Sequence, residues 1–211
     1  VRPVAARAEG DTRAVGGAQA LVGLALAASV AAAVVGNAFL PLLLRISPVL
    51  LLVVQSSYAQ MGLAVARLDP VTFVLVAALR RWIGEVIAFA GGKVLGAEAL
   101  RWYGQRSGRQ VPLPTWEGRG ARLLRDAVVL VVPQPLLSAA VGVSGMPWLR
   151  FVVLKLLGSL ASVTLLWWAA TALALPLAAL ADLVEANALG LTVVAIVGTA
   201  GWLVWQRRRE A

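Results

Sequence analysis

Four charged residues stand inside one apolar stretch. Arg80, Arg81, Glu85 and Lys93 interrupt RRWIGEVIAFAGGKVLG, residues 80–96. On a helix, Arg81, Glu85, Phe89 and Lys93 follow one another at i+4 and share a face. A charge at membrane depth costs roughly 2.5–3.5 kcal/mol on insertion scales, and such charges usually face a bundle interior or a water-filled cavity. The chemistry open to them is binding rather than bond-making. Arginine presents a planar fork of donors that suits a phosphate. A desolvated carboxyl such as Glu85 can carry a proton. The structural alternative is an Arg81–Glu85 pair that neutralises itself so that the helix can be buried. In another, Lys93 and the arginine pair extend to opposite interfaces.

The residue inventory excludes much else. The chain has no histidine and no cysteine. That removes thiol and imidazole catalysis, disulfides and the usual soft metal ligands. No carboxylate pair is spaced for acid–base work within an apolar segment. We therefore expect no enzyme, no metal site and no cofactor. The composition is 60% hydrophobic, against about 45–50% for a soluble domain, so one integral membrane domain is expected. A net charge of +9 would suit nucleic acid, but the basic residues gather at the ends of apolar segments. The positive-inside rule and anionic headgroups account for them there. Membrane lipids, not nucleic acids, are the expected partners.

These charges need elements to hold them. Residues 1–18 read as a flexible cytoplasmic tail, 19–206 as the membrane domain and 207–211 as a basic cytoplasmic tail. Apolar runs at 20–40, 70–97, 148–175 and 188–205 predict four spans. Asp69-Pro70 opens the second of them. Two further apolar stretches are broken. Residues 41–68 carry Pro48 and the polar knot Gln55-Ser56-Ser57 with Gln60, and residues 126–146 carry Pro133-Gln134-Pro135 and Ser138. Each predicts a re-entrant hairpin, tolerated at membrane depth only where protein or water surrounds the freed backbone; the alternative for residues 41–68 is one kinked spanning helix. Pro48, Gln55, Ser56, Pro133, Gln134 and Pro135 would line a shared polar cavity, or would only satisfy each other's broken backbone. Gly84, Gly92 and Gly96 would let the hairpins pack closely. Residues 98–125 read as a basic loop, and 176–187 as a short acidic connection outside. With both termini inside, the basic segments fall on one side. The fold expected is all-α: about four transmembrane helices plus two re-entrant hairpins in a pseudo-inverted repeat.

At Gly84-Glu85, Phe89, Gly92-Lys93 and Gly96 the chain resembles the DedA/VTT-domain (SNARE-associated-like) membrane family, whose pattern is Gly-acid, an aromatic, Gly-Arg, then Gly. Further on, VVPQPLLSAAVGVSGMPWLRF with Gly158 and Trp167 is similar to that family's second half. The likeness covers roughly residues 40–170. It departs where the family's hairpin proline is bracketed by arginines, since Leu130 and Leu136 stand there. Residues 46–60 also lack the family's hairpin acid. The resemblance implies two inverted repeats and a lipid transporter of the bacterial inner membrane. Its substrate would be undecaprenyl phosphate or a phospholipid moved between leaflets, with proton coupling through Glu85 as an option. The phosphate site expected is Arg80, Arg81, Glu85 and Lys93, with Arg150 as substitute positive charge. A homo-oligomer is compatible with this. A structural or assembly protein of the same fold is the alternative, and a small-cation exporter ranks last.

Overall fold

The computed structural model describes residues 4–107, 116 and 118–210, and its regular structure is entirely helical. The elements are α1 (Val4–Ala38), α2 (Leu40–Ile46), α3 (Pro48–Val54), α4 (Tyr58–Ala64), α5 (Pro70–Ser107), α6 (Gly118–Val131), α7 (Pro135–Val143), α8 (Trp148–Thr171), α9 (Ala174–Ala186) and α10 (Ala188–Glu210). Both stretches expected to be broken are broken: α3 and α4 flank one interruption, α6 and α7 the other.

Three boundaries differ from expectation. From Val4 onward the polar tail is drawn into α1; residues 1–3 lie outside the described residues. The basic loop shortens, because α5 continues to Ser107 and α6 begins at Gly118, with residues 108–115 and 117 outside the described set. The acidic connection at 176–187 is itself mostly helix, α9. Its sequence ALPLAALADLVEA is largely apolar, and its two acids are partnered. Asp182 and Glu185 both pair with Arg67, the latter at 3.1 Å.

Among the described residues, two helical segments are long and apolar enough to cross a membrane, Gln19–Ala38 and Trp148–Thr171. A third is added if α9 and α10, bent by 81° at their junction, count as one. Although 38 residues long, α5 is not among them, because Arg80, Arg81, Glu85 and Lys93 interrupt its apolar run.

The chain forms two compact units. One comprises Val1–Ser29 and Trp82–Gly158, the other Val30–Arg81 and Ser159–Ala211. In the first, Phe89, Val129, Val141, Met146 and Phe151 make the core. Phe89 stacks on Phe151 with ring centroids 4.0 Å apart. Glycine lets α5 and α7 touch backbone to backbone: a Cβ at Gly92 would overlap the Ala139 carbonyl, and one at Gly142 the Phe89 carbonyl. Gly96 acts otherwise. It has open space around its Cα and sits at φ 73°, ψ −170°, a glycine-only conformation that kinks α5. Close packing was expected there, and a kink is found.

In the second unit, Leu52, Met61, Phe73, Ala77, Ala78 and Val163 form one core cluster, with Trp167 tilted against Phe73 at 5.2 Å. Leu44, Leu51, Leu63 and Ala181 form another, where α9 packs on α2 and α4. Asp69 caps α5 by accepting from the Thr72 N–H at 2.9 Å. That hydrogen bond holds its carboxyl below the usual range.

The glycine contrast is testable. Gly92→Ala forces α5 and α7 apart and should destabilise by about 1–3 kcal/mol, the usual cost of overpacking. Gly23→Ala, in a helical site with nothing nearby, should be neutral or stabilise by about 0.5–1 kcal/mol. Thermal unfolding of both variants in detergent reads the difference.

Candidate functional site

A helix leaves its last four carbonyls without intrahelical donors. Where α3 stops at Val54 all four are answered. The Gln55 N–H donates to Leu51 O at 2.9 Å, and Ser56 Oγ to Leu52 O at 2.7 Å. Arg80 of α5 then serves the last two, reaching Val53 O at 2.9 Å and Val54 O at 3.1 Å. Arg81 continues into the break. It donates to Ser56 O at 3.5 Å and to the Tyr58 hydroxyl at 3.3 Å, with its guanidinium 4.7 Å from the Tyr58 ring centroid. The polar knot is thereby explained. Ser57 and Gln60 close a capping box on α4. Buried Gln60 also donates to Gly36 O and Asn37 Oδ1, at 3.3 and 3.2 Å.

The break between α6 and α7 has a different cause. In a continuous helix the Val129 carbonyl would receive the N–H of residue 133, and residue 133 is proline. Lys155 of α8 supplies the missing donor. Its Nζ lies 3.2 Å from Val129 O and 2.8 Å from Val132 O. Gly158, one turn on, leaves room for the Leu130 carbonyl, which a Cβ would overlap. The same ammonium is 3.6 Å from Glu85 Oε2. Ser138 of α7 donates its hydroxyl to that carboxylate oxygen. Glu85, Lys155 and Ser138 are 4%, 2% and 1% exposed, so the pair is held out of solvent. A buried pair of this kind persists only when its remaining hydrogen-bonding capacity is met. Here two carbonyls and a hydroxyl help to meet it.

The expected site residues are thus distributed. Glu85 is central, but its partners are Lys155 and Ser138. Arg80 and Arg81 hold the α3–α4 break through backbone oxygens. Lys93 is exposed, 5.8 Å from the Phe89 ring centroid. Arg150 is half-exposed and pairs with Asp126. Pro48 and Pro135 are the first residues of α3 and α7, Gln55 and Gln134 flank the breaks, and Ser56 and Pro133 lie within them. Gly84 is half-buried and Gly92 is the close-contact glycine. Sequence reasoning missed Lys155. The signal was a lysine inside an apolar run, FVVLKLL, in the first half of a 24-residue helix.

The cluster brings a carboxylate, an ammonium and a hydroxyl into contact. It can hold a charge, move a proton at the Glu85 carboxyl, and fix or release broken backbone. No family model matches the chain, and no curated protein or solved structure is significantly similar to it.

Removing one partner of a buried pair strands the other. Lys155→Met and Glu85→Gln should each destabilise, Lys155→Met by about 3–5 kcal/mol. The double variant should lose clearly less than the sum of the two. Unfolding of all four forms in detergent measures the coupling.

Proposed function

We propose that this chain is an integral membrane protein that carries a lipid phosphate between leaflets, with its broken helices as the working parts. The observation that supports this most is the buried Glu85–Lys155–Ser138 cluster seated on the α6–α7 break. A cation held by one carboxylate and two carbonyls can exchange ligands. When Glu85 takes up a proton it no longer neutralises Lys155, and a phosphate can take the vacated place beside the ammonium. Loss of the proton restores the pair and expels the phosphate. Transport so described is proton-coupled, the headgroup travelling on polar broken backbone while the tail stays in lipid.

Two further features support the reading. Each unit carries a broken helix pair ahead of a long helix. In each, a cation on that helix serves a carbonyl 26 residues earlier, Arg80 to Val54 and Lys155 to Val129. The fourth residue of each long helix is a fully buried phenylalanine, Phe73 or Phe151. A two-repeat transporter with its site at broken helices has this organisation. The likeness to the DedA/VTT-domain family points the same way, and with it goes the proposal of a bacterial inner membrane with both termini cytoplasmic.

A second reading is favoured by one observation. Arg80 spends two donors on its own chain's carbonyls, as a purely structural protein would require. Reconstitution decides between them. In proteoliposomes containing a headgroup-labelled phospholipid, the folded wild type should speed translocation. Glu85→Gln, with its helical signal intact, should slow it about ten- to a hundredfold, the equivalent of one charge-assisted hydrogen bond. Unchanged rates in Glu85→Gln would remove the cluster from transport, and no wild-type translocation would favour the structural reading.

A further inference from the structure

Among the described residues, one face of the first unit carries more positive charge than it neutralises. On α6, Arg119, Arg122 and Arg125 stand beside a single acid, Asp126, and Arg150 of α8 shares that same carboxylate. Two guanidiniums thus divide one aspartate. Arg150 pairs with Oδ2, while Arg125 lies 3.5 Å from Oδ1. The Arg125 side chain is only 7% exposed, and its Nε has no hydrogen-bond partner among the described residues. The Arg150 side chain is 49% exposed, and only one of its nitrogens is used on Asp126.

Of these residues, Arg150 and Asp126 line an open groove of about 460 Å³. The rest is apolar: Pro147, Leu149, Val153 and Leu154. The helix repeat explains the arrangement. Leu149 and Val153, and likewise Arg150 and Leu154, are i+4 neighbours, so one strip of α8 carries a cation at its start and hydrocarbon below it.

We infer that this groove binds an anionic phospholipid, its phosphate on Arg150 and the first part of its acyl chain along Leu149 and Val153. Each half of the groove selects half of the ligand. A guanidinium with spare donors in a fixed fork matches phosphate oxygens. A floor of leucine and valine gains nothing from a free anion but is covered by an acyl chain. The site does not rest on transport, because a chain that moved nothing would still hold a lipid here. It is also distinct from the Glu85–Lys155 cluster in its residues.

Asp126 makes the inference testable by sign. It competes with the phosphate for the Arg150 guanidinium, so its removal should strengthen lipid binding, whereas a purely structural aspartate would not. The experiment is a lipid titration of the full-length, delipidated protein in detergent, read by native mass spectrometry. The probes are dioleoylphosphatidylglycerol, dioleoylphosphatidylcholine and inorganic phosphate. Phosphatidylglycerol should bind about tenfold more tightly than phosphatidylcholine, and Arg150→Gln should remove that preference. Asp126→Asn should tighten phosphatidylglycerol binding in protein that keeps its helical signal. Inorganic phosphate should neither bind comparably nor displace the lipid. Equal affinity for the two lipids, an unchanged preference in Arg150→Gln, weaker binding in folded Asp126→Asn, or displacement by inorganic phosphate would each overturn the inference.

Discussion

Pro133 has no N–H to give the Val129 carbonyl, and the ammonium of Lys155 takes its place. Much of the first unit follows from that substitution. An ammonium buried to 2% exposure needs a counter-charge, and Glu85 provides it from α5. The carboxylate in turn needs a donor, and Ser138 provides it from α7. One missing hydrogen bond thus ties α5, α6, α7 and α8 together through a chain of charged and polar contacts. Such a chain is strong when complete and costly when any member is lost. Gly92, Gly142 and Gly158 belong to the same arrangement, since each lets backbone come close to backbone beside the break.

The second unit meets the same problem with other residues. The end of α3 is served by Arg80, whose fork reaches two successive carbonyls, while Arg81 steadies the turn that follows. Both arginines are only partly buried, and they meet this break through backbone carbonyls and the Tyr58 hydroxyl. The contrast is physical. A half-exposed guanidinium can remain charged against carbonyl dipoles alone, whereas a fully buried ammonium sits with a carboxylate. The Glu85–Lys155 pair is therefore the place where a change of protonation would alter how broken backbone is held.

Much of this was legible in the sequence. Prolines and the polar knot at 55–60 announced both breaks, because each removes or diverts backbone hydrogen bonds at a known position. Glu85 stood out because a carboxylate in an apolar run demands a partner. Its partner was less visible. Helical spacing put Arg81 one turn away, so a local pair was the natural expectation, while Lys155 lies 70 positions on and is brought close only by packing. Lys93 shares the helix face of Phe89 and projects to an exposed position. The helix α9 was read as a connection on the strength of Asp182 and Glu185, whose shared partner Arg67 is likewise remote in sequence.

The claim that Lys155 stands in for the proline N–H is tested most directly by hydrogen–deuterium exchange of the full-length protein in detergent, comparing wild type with Lys155→Met. The account predicts faster exchange in peptides covering residues 126–143, which hold the α6–α7 break, with protection across residues 48–64 unchanged. Equal protection of residues 126–143 in the two proteins, or a uniform loss along the whole chain, would contradict it.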